Sequence, residues 1–317
     1  MSRSKRGKGT ARNLSGLSTE KLNPAAKNLD LKSSLEIARI INREDAKVAA
    51  AVKRALPQIA RGIDVMAGAL SQNGRLIYVG AGTSGRIAAL DAAELPPTFS
   101  LNPRRIQLVI AGGTKALSSA VEKEEDSPRL GESAITRKNP AEKDVVVGVS
   151  ASGRTPFTVA ALKYARSRCA TTIAITCNRN SPLEKSADLA IVTDVGPEVV
   201  SGSSRMKAGT AQKMILNMLS TGAMTRLGYV YDGLMVNVVP KNSKLKERAI
   251  SILQQAAGIS RAPAKSALKQ AGNSVPAALV MLLSGSTCSQ ATRALKKSRN
   301  HLRQAIIESS NQERSNH

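Results

Sequence analysis

Apolar residues recur every three or four positions over residues 33–72, which is the spacing of an amphipathic helix. Pro57 interrupts the pattern and marks a helix boundary or a kink. We therefore predict a helical lead-in over residues 31–64. Residues 1–30 are polar and basic, with Gly, Ser, Asn and Pro, a composition typical of a flexible arm.

Short, nearly continuous apolar runs then alternate with helix-length segments. Runs of this kind are typical of parallel strands that are buried on both faces. We therefore predict an α/β fold, with a doubly wound five-stranded parallel sheet, over residues 65–228. The five runs are residues 75–80, 106–112, 144–150, 172–177 and 189–193. Ligands of such sheets bind beyond the carboxyl ends of the strands, so the loops after these runs are where a site is expected.

The last part of the chain returns to helical spacing, broken at Gly258 and at Gly272-Asn273. We predict a small helical (UBA-like) domain over residues 240–310.

Composition narrows the class of protein. The 317 residues contain no Trp, two Phe and four Tyr, so the core must be built from Ala, Val, Ile, Leu and Met. The three cysteines are irregularly spaced and form no CxxC pair, which favours neither a disulfide framework nor a metal site and points to a reducing compartment. The longest strongly apolar run, residues 276–283, is too short to span a membrane, and no secretory signal begins the chain. We expect a cytoplasmic protein.

The net charge of +24 is concentrated in the N-terminal segment and the C-terminal quarter. No basic stretch is interleaved with aromatic residues on which bases could stack, so nucleic acid is not an expected partner. The charge indicates a surface solvated mainly by Lys and Arg.

Three loops share one chemistry: GAGTSGR at 80–86, SASGRTP at 150–156 and SGSSRMK at 201–207. Each leads into a predicted helix, where free backbone N–H groups carry partial positive charge and can bind a phosphate. Small hydroxyl residues add donors without bulk. The candidate phosphate-binding residues are Thr83, Ser84, Ser150, Ser152, Thr155, Ser203, Ser204 and Lys207.

Other readings of these loops are weaker. Gly80, Gly82 and Gly85 match the dinucleotide fingerprint, but the run at 106–112 ends in Ala-Gly-Gly without the acidic residue that holds a ribose. No Gly-Lys-Ser/Thr closes a loop, so the Walker pattern is absent. Ser and Thr also cap helices routinely, which explains one such loop better than three.

Carboxylates are the expected acid–base groups, because His301 and His317 both lie in the basic tail. Glu94 is predicted to end a helix just before Leu95 and two prolines. The helix dipole and the apolar neighbours would favour its protonated form, which suits a general acid. Glu125 lies in the acidic run 122–126, where like charges raise a carboxyl pKa. From pattern alone, a surface helix residue and a solvated acidic face remain open alternatives.

The loop at 150–155 resembles the phosphosugar loop of the sugar isomerase (SIS) domain family. Five longer blocks resemble the N-acetylmuramic acid 6-phosphate etherase family: GAGTSGRI, LDAAELPPTF, AVEKEED, VVVGVSASGRTP and VVSGSSRMKAGTAQK. The resemblance extends from about residue 17 to the C-terminal helices.

The resemblance implies a flavodoxin-like SIS fold and a cytoplasmic lyase. Such a lyase removes D-lactate from N-acetylmuramic acid 6-phosphate in cell-wall sugar recovery and gives N-acetylglucosamine 6-phosphate. It implies that Glu94 is the proton donor and that Glu125 is the second active-site carboxylate. It implies no metal or organic cofactor, and a homodimer with the site near the subunit interface.

The chain departs from the family pattern at three places. Ala93 and Leu95 stand where the family has Ser and Cys, and Phe157 stands where Tyr is common. These changes remove no acid–base group but alter possible hydrogen bonds around the sugar. Two other functions are compatible with the same loops: a non-catalytic sugar-phosphate sensor resembling glucokinase regulatory protein, and an aldose–ketose isomerase. The presence of both Glu94 and Glu125 favours the etherase over the sensor.

Overall fold

The computed structural model describes residues 17–240 and 242–314 of the chain. Residues 1–16 of the predicted flexible arm lie outside the described residues. The rest of that segment is packed: Leu17 and Thr19 are buried, and Ser18 donates its backbone N–H to the Asn178 side chain (3.1 Å). The arm predicted to reach residue 30 therefore gives way at Leu17 to three 3-10 turns, Ser18–Glu20, Pro24–Ala26 and Leu29–Leu31.

Two helices form the lead-in, α1 (Ser34–Lys53) and α2 (Leu56–Ser71). Ser33 and Glu36 form a capping box that starts α1. Pro57 lies in the first turn of α2, where its missing N–H has no helical partner to lose, so the predicted boundary at this residue is confirmed. Because α2 packs against strands of the sheet, it belongs to the sheet domain.

Five parallel strands form one sheet in the order β2-β1-β3-β4-β5, so the predicted α/β fold is confirmed. The strands are β1 (Leu76–Gly80), β2 (Ile106–Ile110), β3 (Val145–Val149), β4 (Thr171–Thr176) and β5 (Leu189–Val192). All residues of β1 and β3 are buried, which agrees with their continuous apolar sequence.

Six helices belong to the sheet domain: α3 (Gly82–Phe99), α4 (Glu122–Glu125), α5 (Pro128–Thr136), α6 (Pro156–Ser167), α7 (Pro182–Lys185) and α8 (Lys207–Arg226). Leu76 and Tyr78 of β1 face a core formed with α2, α3 and α8, whereas Ile77 and Val79 face a core formed with α5, α6 and α7. The strand alternation thus fills both faces of the sheet.

The helices that follow β1 and β3 leave on opposite faces of the sheet. Leu95 of α3 lies in the first core, and Leu162 of α6 lies in the second. Since β1 and β3 are neighbours, the chain reverses its winding between them. Such a switch point opens a crevice at the carboxyl ends of the two strands.

A short hairpin, β6 (Val230–Tyr231) and β7 (Leu234–Met235), leads to five helices with their own core. These are α9 (Ser243–Ala257), α10 (Arg261–Gln270), α11 (Val275–Ser284), α12 (Cys288–Lys297) and α13 (Leu302–Arg314). Asn237 ties this part to the end of α3 by donating to the Phe99 carbonyl (2.8 Å). No helix in the described ranges is long and apolar enough to cross a membrane.

Candidate functional site

Helix α3 begins without a side-chain cap at the carboxyl end of β1. The N–H groups of Thr83 and Ser84 have no acceptor among the described residues. Three N–H groups at such an end cannot bond within the helix, so they remain available to a ligand. The first loop is therefore a candidate anion site.

Helix α6 begins in the same way at the carboxyl end of β3. Its N-cap residue, Thr155, makes no capping bond, and the N–H groups of Phe157 and Thr158 have no acceptor in the described part of the chain. The Thr155 hydroxyl is instead hydrogen-bonded to that of Ser150 (2.9 Å), which lies 3.4 Å from that of Ser152. We call Ser150, Ser152 and Thr155 the hydroxyl cluster.

The hydroxyl cluster is held in shape by its own backbone. Ser150 Oγ accepts from the Gly153 N–H (3.1 Å), and Ser152 Oγ accepts from the Arg154 N–H (3.1 Å). Gly153 has φ +64°, and a Cβ there would lie 2.3 Å from Ser181 Oγ. Only glycine permits this close turn. The tight turn brings all three hydroxyls to the start of α6.

Glu125 reaches the start of α3 because Gly82 has no side chain. Gly82 has φ +49°, and a Cβ there would lie 2.9 Å from Glu125 Oε1. One glycine of the apparent dinucleotide fingerprint, Gly82, thus makes room for a carboxylate. Glu125 therefore lies at the switch point, beside one of the two uncapped helix ends.

The surroundings of Glu125 favour its protonated form. Partial burial, and then the neighbouring charges of Asp126 and Glu122, raise the pKa of the Glu125 carboxyl, while Arg86 opposes them. Arg86 also donates to the carbonyls of Ala116 (2.8 Å) and Ser119 (2.7 Å), which lie in the segment leading to Glu125. A half-buried carboxylate with a raised pKa is a suitable proton acceptor near neutral pH.

The third predicted loop is occupied by the protein itself. Glu198 is fully buried, and its carboxylate accepts from the N–H groups of Lys207 (3.0 Å) and Ala208 (2.9 Å) at the start of α8. The Lys207 ammonium, 1% exposed, binds Glu44 (2.6 Å). The phosphate-binding role predicted for Lys207 is therefore corrected, because its charge is already neutralised inside the protein.

Ser203 and Ser204 lie next to the first loop. A Cβ on Gly209 would lie 3.6 Å from the Ser204 carbonyl oxygen and 3.7 Å from the Thr83 methyl group, so the start of α8 packs against the start of α3. Neither serine hydroxyl has a hydrogen-bond partner among the described residues. Both remain candidates for contacting a ligand at the switch point.

Glu94 does not end its helix, contrary to the sequence-based expectation. Helix α3 continues through Pro96 and Pro97 to Phe99, and Glu94 is exposed. The predicted position of Glu94 at the end of a helix is therefore wrong. Within one chain, Glu94 instead lines a groove between helices α3 and α8.

This α3–α8 groove has a volume of about 300 Å³. Within it, Asp91 is buried and accepts from the hydroxyls of Tyr78 (2.9 Å) and Ser220 (2.9 Å). Burial raises the pKa of Asp91, whereas the two hydroxyl donors and the nearby charge of Lys213 lower it. The residues lining the groove are Leu90, Asp91, Glu94, Leu95, Thr98, Phe99, Lys213, Asn217, Ser220 and Thr221.

One chain does not bring Glu94 and Glu125 together. Glu94 follows Gly82 by twelve residues of α3, which is roughly 18 Å along a helix axis, whereas Glu125 lies against Gly82. The sequence pattern does not predict this separation between Glu94 and Glu125. Arg86, Asp91 and Lys213 also line or support these sites, and their only sequence signal is that all three lie within the blocks that carry the family resemblance.

Two uncapped helix ends, a hydroxyl cluster and a carboxylate at a topological switch point define an α/β domain with a candidate anion-binding site. No group of three His, Cys, Asp or Glu side chains suited to a metal ion occurs within the described residues. The SIS domain model matches residues 132–222, and the model of the glucokinase regulatory protein N-terminal SIS domain matches residues 58–166. A phosphoheptose isomerase from Francisella tularensis has the same fold, with TM-score 0.50 and 18% identity, over 61% of this chain and all of that one.

Curated relatives identify the family within this class. The N-acetylmuramic acid 6-phosphate etherase of Edwardsiella ictaluri is 49% identical over 296 residues, which are 93% of this chain and 99% of the relative. An N-acetylmuramic acid 6-phosphate etherase of Enterococcus faecalis is 50% identical over 85% of this chain and 90% of the relative. The chain belongs to the N-acetylmuramic acid 6-phosphate etherase family. This confirms the family and the enzyme class predicted from the sequence blocks.

Proposed function

We propose that this chain cleaves the D-lactyl ether of N-acetylmuramic acid 6-phosphate, giving N-acetylglucosamine 6-phosphate and D-lactate. The observation that carries the proposal is the position of Glu125, a proton acceptor, at the switch point between two uncapped helix ends. The names of the relatives supply the substrate.

The 6-phosphate binds at the starts of α3 and α6. There the first N–H groups of both helices have no acceptor among the described residues, the hydroxyl cluster lies beside them, and Thr83 and Ser84 add hydroxyls from the first loop. Helix ends favour an anion through their partial positive charge, and hydrogen bonds to a charged group contribute about 1.5–3 kcal/mol each. Ser203 and Ser204 lie at the edge of this site, beside the first loop, and add weaker contacts, because Glu198 already occupies the N–H groups at the start of α8.

The reaction is an elimination followed by addition of water. The sugar opens to its aldehyde, which acidifies the proton on C2, and Glu125 removes that proton. The electron pair expels the C3 oxygen as lactate, and Glu94 donates a proton to it. Water then adds hydroxide to C3 and a proton to C2, so the sum is ether plus water giving alcohol and lactate.

The protein acts as a homodimer in which Glu94 serves the partner's phosphate site. The C2 proton and the C3 oxygen lie on neighbouring carbons about 1.5 Å apart. Each catalytic group must come within about 2.6–3.2 Å of the atom it serves. Glu94 lies roughly 18 Å along α3 from the start of that helix, so it cannot reach the sugar beside Glu125 of its own chain. Exposed Leu90 beside it would be covered by the partner.

Heterodimers test this arrangement. One chain carries Glu94→Gln, the other carries Glu125→Gln, and two affinity tags allow the mixed dimer to be purified. Each homodimer should lose at least ~10²-fold in rate, whereas the heterodimer should regain about half the wild-type rate because one of its two sites has both carboxylates. An inactive heterodimer would contradict sharing of the site between subunits.

The protein works in the cytoplasm. Cys169, Cys177 and Cys288 are all free, and unbridged thiols are typical of a reducing compartment. The intracellular recovery of cell-wall amino sugars is the setting that this substrate requires. Cell fractionation followed by immunoblotting checks the location.

One assay tests the reaction itself. The protein is incubated with N-acetylmuramic acid 6-phosphate in deuterated water, and we expect D-lactate together with deuterium at C2 of the product. Absence of lactate would rule out the etherase, and a ketose product would indicate an isomerase. Sugar-phosphate binding without turnover would favour the sensor, the reading suggested by the glucokinase regulatory protein match.

A further inference from the structure

We infer that Lys213 binds the carboxylate of the substrate's lactyl group and is a specificity-determining residue. The inference rests on the proposed function. Lys213 stands in α8, one turn before Asn217, and both line the α3–α8 groove with Glu94. No other described residue that lines this groove carries a positive charge.

The chemistry of the substrate requires a cation at this place. In the lactyl ether, one carbon separates the ether oxygen from the carboxylate carbon, so the carboxylate oxygens lie roughly 3–4 Å from the ether oxygen. Glu94, the proposed proton donor, must be within about 3 Å of that same oxygen. The lactyl carboxylate therefore enters the groove that contains Glu94.

The groove without Lys213 would repel the substrate. Its other charged groups are Asp91 and Glu94, and both are carboxyl groups. Asp91 is engaged by the Tyr78 and Ser220 hydroxyls and is buried, so it offers no donor to a carboxylate. Like charges this close are costly unless a cation compensates them.

Lys213 is free to supply that charge. No carboxylate of the described residues lies within 4.0 Å of its ammonium, in contrast to Lys207, which is bound to Glu44. The Asn217 amide, oriented to satisfy both of its groups, accepts from Lys213 Nζ (3.2 Å) and donates to the Lys213 carbonyl (3.1 Å). Asn217 thereby holds the ammonium at the groove, leaving further N–H donors for a ligand.

The apolar part of the groove fits the rest of the lactyl group. Leu90, Leu95 and Phe99 line the groove opposite a charged side chain on α8. A methyl group directed toward these residues and a carboxylate directed toward Lys213 would fix the configuration of the lactyl carbon. The product, N-acetylglucosamine 6-phosphate, lacks this group and makes none of these contacts.

Lys213→Gln tests the inference, with exposed Lys163→Gln as the matched control. We expect kcat/KM for N-acetylmuramic acid 6-phosphate to fall by about 10- to 100-fold, which is the loss of one charge-assisted hydrogen bond. The affinity for N-acetylglucosamine 6-phosphate, measured by product inhibition, should stay within about twofold of wild type, and so should both constants in the control. Equal losses for substrate and product, or no loss for either, would overturn the inference.

A neutral substrate sharpens the test. The lactyl carboxamide of N-acetylmuramic acid 6-phosphate should be a poor substrate for the wild-type protein. Lys213→Gln should not lower kcat/KM for this carboxamide any further. A further loss with the carboxamide would show that Lys213 does not act through the carboxylate charge. If the wild-type protein releases no lactate from the natural substrate, the proposed function itself fails, and that result is distinct from either outcome for Lys213.

Discussion

The loops at residues 150–156 and 201–207 have similar sequences: both contain Ser, Gly and Arg, and both lead into a helix of the sheet domain. At the start of α6, the first helical N–H groups have no acceptor in the described part of the chain, and three hydroxyls gather there. At the start of α8, the buried Glu198 carboxylate accepts from the corresponding N–H groups. One helix end is open to an external anion, and the other already has an anion of its own.

The difference shows what makes a helix start into a binding site. Both helices offer partial positive charge and unpaired N–H groups. Whether these N–H groups are available to a ligand depends on a residue outside the helix, here Glu198, and on the charges that surround its carboxylate. A Ser/Gly-rich loop before a helix is therefore evidence of an anion site only when no carboxylate of the chain fills it.

We call the loop at 150–156 the open loop and the loop at 201–207 the closed loop. Breaking the buried Lys207–Glu44 ion pair at the closed loop should have the largest effect, which is a loss of stability. Lys207→Met leaves Glu44 buried without its main partner, which costs about 3–5 kcal/mol in the free energy of unfolding. Urea denaturation measures this loss, with exposed Lys185→Met as the control. The KM of the folded fraction should be unchanged. A large rise in KM with normal stability would return Lys207 to the phosphate site.

The same pair predicts an acid dependence of stability. Burial alone would raise the pKa of Glu44, but hydrogen bonds from Lys207, Lys47 and Asn23 outweigh it and lower the pKa to about 2, from a usual 4.5. The stabilisation is thus complete above the usual pKa and is lost as pH falls from about 4.5 toward 2. In Lys207→Met this pH-dependent contribution should become smaller, because the folded-state pKa of Glu44 moves back toward its usual value, as measured by urea denaturation at several pH values.

Removing hydroxyls from the open loop should affect binding and not stability. Ser152→Ala/Thr155→Val removes two donors to the phosphate, so KM should rise by about 10- to 100-fold, with the melting temperature within a few degrees of wild type. Ser203→Ala/Ser204→Ala makes the matched change in the closed loop, where we expect a rise of less than about threefold. Equal effects of the two double variants would remove the distinction between the loops.

Removing the charge of Glu198 should lower the free energy of unfolding by less than breaking the Lys207–Glu44 ion pair does. Glu198→Gln keeps the shape of the side chain and one acceptor oxygen but removes the charge from the start of α8. We expect a loss of about 0.5–2 kcal/mol in unfolding free energy, the range for a lost helix cap. Exposed Glu142→Gln is the control. An unchanged melting temperature would mean that the carboxylate does not stabilise this helix end.

The smallest expected effect concerns the acidity of Glu125. Burial, Asp126 and Glu122 raise the pKa of Glu125, and the base must be deprotonated, so kcat/KM should fall as pH decreases through that pKa. Glu122→Gln removes one like charge, which lowers the pKa and moves the acidic limb of the pH–rate profile to lower pH by a few tenths of a unit. A limb that moves to higher pH, or does not move, would contradict Glu125 as the group that titrates.

Much of the fold follows from local pattern. The buried strands were predictable because nearly continuous apolar runs such as residues 145–149 have few alternatives, and the break at Pro57 follows from its missing N–H. The helix end at Glu94 was mispredicted because two prolines normally stop a helix. Here α3 continues through them to Phe99, whose carbonyl accepts a hydrogen bond from Asn237 of the following segment (2.8 Å).

For the candidate site, the sequence by itself determined the chemical inventory: hydroxyl and glycine loops after buried strands, two carboxylates in long family-like blocks, and histidines only at positions 301 and 317. These are properties of residue type and spacing, which a chain carries before it folds. Tertiary structure decided which helix start stays open, that Gly82 admits Glu125, and that Glu94 and Lys213 share a separate groove. Those outcomes depend on distances between segments that are remote in sequence, and packing alone sets such distances.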